Sequence, residues 1–507
     1  MSEIGYTPAK TGASRVFLIE GAAGPNHPPV YKPCLRALGA SQDFGDVERI
    51  QCPSPDRYNE FVEVGQIQGA VERPTSTLQG RYPQDEASDL LRIAKKRCEA
   101  DVHVHFGECS DPRDFNTFTK AVIYENAILT NFSTDDMGAL GSDEQAVINE
   151  QSDLSGKEIY EVLPLSFATR CGTQVVAPVV DVVICDSPSC GDCEDESDGC
   201  EKIFAVTESS AGSPGTAPDL IWSDDGLQTC HADDITSLLA GETASALACL
   251  GVYVVVVSNA TNSLHYKTKE DIWNGVVGGW TENATGFVLN AEPRDIWSVG
   301  NYAFIVGDGG YVYGTSDPAA GVTVLDAGVA TTNQLNAVHA IDDEFAVAVG
   351  NSDTIIYTEN RTIWQAATAT GSGANLLGVW CKSKKEWWVV GATNTVYYTL
   401  DGGHTWVQVT LPGIGWTNIY DIAFATNSVG YIAGQTATPR GRLLRTFSGG
   451  GGTPPYGGWV ILPEGTQVMP LSDAFYAVAA CQYDPNFVVG VGLDDGAVDG
   501  IVVLGQD

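Results

Sequence analysis

A repeat of about 40 residues in the second two-thirds of the chain restricts its possible folds more than any other feature. Each of four copies ends its third apolar run in a threonine, and these threonines are spaced 43, 41 and 47 residues apart: Thr315, Thr358, Thr399 and Thr446. Two apolar runs of strand length, joined by a short turn, precede the third run. A shorter fourth run follows it. Glycine or asparagine stands at the turns, where a positive φ is needed.

Four strands in each repeat are typical of one blade of a β-propeller. Weaker copies at 247–268 and 475–505 extend the series, and three strand-like segments between 179 and 226 precede it. The sequence therefore predicts a propeller over residues 171–507 with about seven blades, six and eight being the alternatives. The last copy lacks a fourth strand. We expect residues 173–179 to supply it, because pairing the two chain ends removes exposed strand edges.

The octet "TLDGGHTW" at 399–406 carries a more specific signal. It resembles the motif of Asp-box (BNR) propellers, Ser/Thr-x-Asp-x-Gly-x-Thr-Trp, a group that includes sialidases and photosystem II assembly factor repeats. Every fixed position matches: Thr399, Asp401, Gly403, Thr405 and Trp406. An aspartate in such a turn accepts backbone N–H groups, and the tryptophan packs between strands. We therefore expect a structural turn here, and not a catalytic pair of Asp401 with His404.

Catalysis of the sialidase type requires three arginines that hold the substrate carboxylate, with a tyrosine nucleophile and a glutamate. Residues 171–507 contain five arginines, three of them in one short segment: Arg294, Arg361, Arg440, Arg442 and Arg445. The required constellation is not recognisable among them. We predict a protein that is not an enzyme and has no cofactor, with glycoside hydrolysis as the enzymatic alternative.

Four of the 13 cysteines lie in one acidic segment, "CDSPSCGDCEDESDGC": Cys185, Cys190, Cys193 and Cys200. Four thiolates can hold zinc tetrahedrally, but a single Cys-x-x-Cys with irregular flanks is a weak zinc signal. We favour disulfides within the loop, or free thiols, over zinc. In each case the predicted role is to staple the loop locally. The other cysteines are expected to be isolated thiols.

The net charge of −37 excludes some partners. Residues 1–170 contain 26 acidic and 16 basic side chains, whereas residues 171–507 contain 38 acidic and 11 basic ones. Such a surface repels a phosphate backbone, so binding of DNA by charge neutralisation is disfavoured. The apolar runs are also too short to cross a bilayer, which predicts no membrane insertion.

Residues 1–170 are predicted to form a mainly β domain of the sandwich or α+β type with one helix at 85–98. That helix has acidic residues in its first turns and basic residues in its last, as the helix dipole favours. His103 and His105 would share one face of a strand. We interpret them as the polar face of that strand, with a shared metal ion as the alternative.

Two phrases in this region, "AVIYENAILTNFSTDD" and "DEQAVINEQSDLSGKEIYEVL", resemble phage tail tube (major tail) proteins in element order and texture. The resemblance implies a structural virion protein, assembled in the host cytoplasm, whose stacked hexameric rings contact other tail proteins and conduct DNA without binding it specifically. The propeller would then lie outside the tube and contact host surfaces or glycans. The alternative is a carbohydrate- or protein-binding propeller, of a virion or of a cell surface, anchored by its N-terminal domain.

Overall fold

The fold is mainly β, with the strands falling into two compact units. A computed structural model describes residues 14–20, 28–32, 35–41, 47–53, 61–68, 75–83, 100–106, 115–116, 118, 120–125, 127–135, 147–155, 158–172, 175, 177–185, 200–208, 219–235, 243–258, 262–289, 291–413, 415–437, 440–453, 457–462, 470–495 and 499–506. Unit 1 comprises Met1–Leu163 with Gly451–Gly457, and unit 2 comprises Pro164–Gly450 with Gly458–Asp507. Within the described residues, no helix is both long enough and apolar enough to span a membrane.

Unit 1 contains two antiparallel sheets and a separate hairpin. The sheet orders are β11-β8-β7-β1-β2 and β3-β6-β10-β9, and the hairpin is β4-β5. Val16 and Val102 of the first sheet share a core with Leu154 of the second. The helix predicted at 85–98 lies outside the described residues. The strands are β1 (Ser14–Glu20), β2 (Val30–Tyr31), β3 (Leu35–Ser41), β4 (Val47–Pro53), β5 (Phe61–Gln68), β6 (Thr75–Pro83), β7 (Ala100–Phe106), β8 (Lys120–Glu125), β9 (Ile128–Asp135), β10 (Val147–Ser155) and β11 (Glu158–Val162).

Strand β7 does not have the solvent-facing polar side that the sequence predicts. His103 and His105 both have no exposed surface. Their rings lie 5.2 and 4.8 Å, centroid to centroid, from the ring of Phe115, so aromatic side chains cover this face. Burial lowers the pKa of His103 to about 3, which keeps its imidazole neutral. No group of three or more potential metal ligands occurs among the residues that the structure describes.

Unit 2 is a β-propeller, as the repeat predicts, and its described strands form seven four-stranded antiparallel sheets. Six blades follow the chain order, and a short helix, α1 (Lys269–Trp273), lies within the second. Valine, isoleucine and aromatic residues dominate the strands and pack well on pleated surfaces. Apolar clusters lie between adjacent blades, and one of them joins Val257 to Ile296.

The first three blades are β13 (Val179–Ile184), β14 (Ile203–Thr207), β15 (Asp219–Ser223) and β16 (His231–Asp234); β17 (Ala244–Leu250), β18 (Tyr253–Ser258), β19 (Ser263–Thr268) and β20 (Thr281–Asn283); and β21 (Pro293–Val299), β22 (Tyr302–Gly307), β23 (Tyr311–Thr315) and β24 (Thr323–Ala327). Blades 4 to 6 are β25 (Leu335–Ala340), β26 (Ala346–Gly350), β27 (Thr354–Thr358) and β28 (Trp364–Ala366); β29 (Leu376–Cys381), β30 (Trp387–Gly391), β31 (Thr395–Thr399) and β32 (Val407–Gln408); and β33 (Trp416–Phe424), β34 (Gly430–Thr436), β35 (Arg440–Thr446) and β36 (Trp459–Ile461). In each blade the first strand lies innermost.

Blade 7 takes its fourth strand from the N-terminal side of the propeller. It consists of β37 (Ser472–Ala480), β38 (Val488–Asp494), β39 (Gly500–Gln506) and β12 (Ser166–Arg170), which pairs with β39. Pairing of the two ends is as expected, but the predicted segment 173–179 is wrong. Cys171 ends the closing strand with a φ of 59°, a left-handed conformation that a strand cannot continue through.

Among the described residues, three disulfides connect blade 1 to other segments of the propeller. Cys185 pairs with Cys249 of blade 2, Cys200 with Cys481 of blade 7, and Cys171 with Cys230, at Cα–Cα distances of 5.9, 5.7 and 5.2 Å. This corrects the predicted staple within the 185–200 loop, because the partners of its two outer cysteines lie on adjacent blades. Cys190 and Cys193 lie outside the described residues. Several cysteines expected to be isolated are therefore crosslinked.

The crosslink from Cys200 to Cys481 spans 281 residues. Closing so long a loop in the unfolded chain is expected to stabilise the fold by about 3–5 kcal/mol. We expect Cys481→Ala to lower the unfolding free energy by about that amount in urea titrations. Cys381→Ala is the matched control, because Cys381 is a buried free thiol and makes no crosslink. Equal losses in the two variants would contradict a stabilising role for the crosslink.

Candidate functional site

Each of the seven innermost strands has a β-bulge near its start. The pairing register shifts across Val180, Ser245, Arg294, Asn336, Leu377, Tyr420 and Tyr476. A bulge re-aims the side chain of the extra residue. All seven of these side chains line one cavity of about 380 Å³, together with Glu208, Thr243, Ala244 and Gln334. Every blade therefore contributes to a cavity at one mouth of the central channel.

Polar residues of blades 3 and 4 are fixed by neighbours outside the cavity. The Arg294 guanidinium donates from Nε and Nη2 to the two Asp308 carboxylate oxygens, at 2.9 and 3.3 Å. Its Nη2 also lies 3.5 Å from the Glu292 carboxylate. Asn336 donates from Nδ2 to the Asn351 side chain and to the carbonyl oxygen of Leu376. This side of the mouth is thus rigid before any ligand arrives.

Two tyrosines of blades 6 and 7 form the aromatic side of the cavity. The rings of Tyr420 and Tyr476 meet edge to face with centroids 5.1 Å apart. The Tyr420 hydroxyl accepts from Asn418 and donates to Gln435, which fixes its ring. Burial, with the nearby Tyr420 and Glu208, raises the pKa of Tyr476. Tyr476 therefore presents a neutral phenol to the cavity.

One hydroxyl of the cavity lining has no hydrogen-bond partner. The Oγ atom of Ser245, at the bulge of blade 2, is buried and makes no hydrogen bond in the structure. An unpaired buried polar group costs about 1–3 kcal/mol.

Partly buried aspartates directly follow three of the lining residues and join adjacent blades. Each carboxylate accepts one N–H from its own strand and one from the next blade. The distances to the next blade are 2.8 Å for Asp181 to Leu247, 2.7 Å for Asp295 to Val338 and 2.9 Å for Asp421 to Val478. Each donor N–H belongs to an innermost strand, which is the edge of its sheet and has no further strand to supply an acceptor there. We call these three contacts the aspartate clamps.

Burial raises the pKa values of the three aspartates that form the clamps. The pKa of Asp295 rises to about 7 and that of Asp421 to about 6, and that of Asp181 lies well above its usual value. The charges of Asp295 and Asp421 add to the shift of Asp181, so the three carboxyls are within electrostatic range of one another. These raised pKa values leave the three carboxyls partly protonated at neutral pH, so they do not all carry a full negative charge together.

We expect Asp421→Asn to change how stability depends on pH. Because the folded pKa of about 6 exceeds the ordinary 3.8, the folded protein binds the extra proton, and stability falls as the pH rises through this interval. Removing the titrating group should make that fall less steep, by up to about 1.4 kcal/mol per pH unit. Urea titrations between pH 4 and pH 7.5 measure this slope. Glu282→Gln, at an exposed position on the outer strand β20, is the control. An unchanged slope in Asp421→Asn would contradict the assignment.

The Asp-box octet lies at the other end of its blade. Leu376, beside the cavity residue of blade 5, pairs with Gly391, and Gly391 pairs with Thr395. Strand β31 then runs away from the mouth to Thr399. The octet therefore contributes nothing to the cavity.

The hydrogen bonds of Asp401 remain within its own turn. Its carboxylate accepts from the N–H groups of His404 and Thr405 at 3.0 and 2.9 Å, and from the hydroxyls of Thr405 and Thr399 at 2.6 and 2.7 Å. Trp406 donates to the carbonyl oxygen of Thr368. These bonds lower the pKa of Asp401, which stays an ionised acceptor. His404 contributes its backbone N–H, and its side chain is exposed.

A close approach explains the glycine of the octet. Gly403 has a φ of +82°, and a Cβ atom there would lie 2.5 Å from the Trp387 ring. The turn after strand β15 in blade 1 has the same aspartate pattern, with Asp225 accepting from the N–H and hydroxyl of Thr229. Asn360 takes that role in blade 4, where it accepts from Ile363. The repeated threonines thus mark a recurring turn.

We expect Asp401→Ala to destabilise the protein without affecting the cavity. Loss of an aspartate that caps backbone N–H groups costs about 1 kcal/mol. Thermal denaturation should show this loss, whereas Glu359→Ala, an exposed residue of the matching turn in blade 4, should show little change. A variant as stable as the unmodified protein would contradict the capping role.

Four of the five propeller arginines have partners outside the cavity or lie away from it. Arg361 pairs with Asp343, Arg440 pairs with Asp495, and the buried Arg445 donates to the carbonyl oxygen of Pro485. Among the described cavity residues, Arg294 is the one arginine. The cavity therefore does not bring three arginines together around a carboxylate.

Comparisons with known proteins agree with the propeller architecture. The family model described as photosynthesis system II assembly factor YCF48 matches residues 329–447, which is less than half of the chain. No curated protein sequence matches this chain. The matched segment includes blades 4 and 5 and the Asp-box octet.

Similar solved structures cover the propeller and differ widely in sequence. YCF48 from Cyanidioschyzon merolae has a TM-score of 0.50 at 13% identity, covering 67% of this chain and 99% of its own. YCF48 bound to D1 peptide has a TM-score of 0.48 at 16% identity, with coverages of 68% and 96%. Virginiamycin B lyase from Staphylococcus aureus has 0.48 at 11% identity, with coverages of 68% and 99%. Likeness at these identities shows the fold alone. Unit 2 is a β-propeller whose residues 329–447 match the YCF48 model.

Proposed function

We propose that the propeller is a protein-binding module that holds a segment of its partner at the cavity. The observation that supports this most directly is the cavity itself, which all seven innermost strands line at the mouth of the channel. Its polar groups are held by neighbours before binding, and such preorganisation reduces the entropy lost when a ligand binds. A cavity of about 380 Å³ lies at the small end of ligand pockets and suits one or two residues of an extended segment.

The chemistry of the lining favours binding over catalysis. Among the described residues of the cavity, no serine, cysteine or lysine nucleophile is paired with a base. Aromatic side chains with fixed polar groups are common in sites that recognise proteins. The family that matches residues 329–447 is described as an assembly factor, and assembly requires contacts with other proteins. A protein-binding role for this propeller is consistent with that description.

The tail tube hypothesis for residues 1–170 stays a prediction. The comparisons give no support to hexameric rings, DNA passage or a place in a virion. The propeller function proposed here does not depend on that hypothesis. It corresponds to the alternative of a protein-binding propeller beside an N-terminal domain.

A library of random 12-residue peptides, selected against the full chain, tests the proposed function. We expect enriched peptides to bind with micromolar dissociation constants, measured by isothermal titration calorimetry. Tyr476→Ala should weaken this binding about tenfold or more, since truncation of a buried aromatic contact costs about 2 kcal/mol. Tyr483→Ala is the control, because Tyr483 is 61% exposed beyond the far end of strand β37.

Two outcomes would contradict the proposal. In the first, selection enriches no peptide, and an array of glycans yields a ligand whose binding depends on Tyr476. Enriched peptides could also bind equally well to Tyr476→Ala and to the unmodified protein. Either result would remove peptide binding from the cavity.

A further inference from the structure

We infer that the cavity selects a basic side chain, a lysine or arginine presented by the partner segment. This inference rests on the proposed function and names the chemistry of the partner. Three features of the cavity support it: the charge of its rim, the acidic residues of the layer beneath it and its aromatic wall.

The rim carries more negative than positive charge. Glu208 lines the cavity, and no ion pair of its carboxylate occurs among the described residues. The one lining cation, Arg294, is shared between the carboxylates of Asp308 and Glu292. Its positive charge is therefore already compensated. An incoming cation meets the Glu208 carboxylate without an equivalent competitor.

The layer beneath the rim is also acidic. Asp181, Asp295 and Asp421 follow the lining residues Val180, Arg294 and Tyr420 directly along the chain. Their side chains are held in place by the aspartate clamps. Their raised pKa values leave these carboxyls partly protonated at neutral pH, so their charge responds to a ligand in the mouth. A cation there favours the ionised form of the carboxyls, whereas an anion opposes it.

The aromatic wall suits a cation with hydrogen-bond donors. Tyr420 and Tyr476 offer aromatic rings, and a ring face attracts an ammonium or guanidinium group within about 6 Å. Lysine and arginine carry only donors at their charged ends. A basic side chain can therefore pair with Glu208, whereas a carboxylate would be repelled.

The test compares four capped pentapeptides that differ only at the central position. Gly-Gly-Lys-Gly-Gly, Gly-Gly-Arg-Gly-Gly, Gly-Gly-Gln-Gly-Gly and Gly-Gly-Glu-Gly-Gly are titrated into the full chain and followed by tyrosine and tryptophan fluorescence or by NMR. We expect the lysine and arginine peptides to bind at least about tenfold more tightly than the glutamine peptide, because a charge-assisted hydrogen bond is worth more than a neutral one. The glutamate peptide should bind most weakly.

Glu208→Gln and a matched control variant test whether the Glu208 carboxylate causes the preference for a basic side chain. Glu208→Gln keeps the shape of the side chain and removes its charge, and it should lower the affinity for the lysine peptide about tenfold while leaving the glutamine peptide unchanged. Glu282→Gln makes the same chemical change at an exposed position on the outer strand β20 and should leave both affinities unaltered. Equal affinities for the lysine and glutamine peptides, or an equal effect of the two variants, would overturn the inference.

Failure of the inference differs from failure of the proposed function. Library peptides that bind through Tyr476 but lack lysine and arginine would overturn the choice of a basic side chain and leave peptide binding in place. Absence of any binding that depends on Tyr476 would overturn both.

Discussion

The aspartate clamps are the interactions on which the mouth of the propeller depends. Each innermost strand is the edge of its sheet, and N–H groups along that edge need an acceptor where water does not reach. An aspartate of the preceding blade supplies the acceptor at the contacts of blades 1 with 2, 3 with 4, and 6 with 7. Two residues before each of these N–H groups, a β-bulge places a residue in the cavity lining. Site and clamp therefore depend on the same short stretch of the innermost strand.

The seam of the ring is reinforced by covalent bonds. The closing strand β12 completes blade 7, and disulfides link blade 1 to both of its neighbours. Two of the aspartate clamps lie beside this seam, at the contacts of blades 1 with 2 and 6 with 7. A ring held in this way cannot open by separation of its ends without breaking several contacts at once. The same contacts hold the strands whose residues line the proposed binding cavity.

The sequence predicted the parts of this structure that local pattern controls. The repeated threonines accept the N–H two residues later at the matching turns, for example in Thr315, Thr358 and Thr399. The disulfide partners were missed because Cys185 and Cys249 are neighbours only across blades. The sequence did not predict the cavity, because a β-bulge within a strand leaves no visible gap in its apolar run of residues. A signal for the clamps was present nevertheless: an aspartate stands inside the apolar runs "VVDVVIC" and "YDIAFA".

The acidic composition acts on a partner at two ranges. The 38 acidic against 11 basic residues of 171–507 create a long-range field that draws cations toward the surface, and salt screens this field beyond about 8 Å at physiological ionic strength. Glu208, which lines the cavity, and the aspartates that follow its lining residues lie closer than this to a bound ligand, where screening is weaker. Added salt should therefore slow association more than it alters the preference for a basic side chain. Because the two effects differ in salt dependence, association rates and equilibrium selectivity report on different groups of the same molecule.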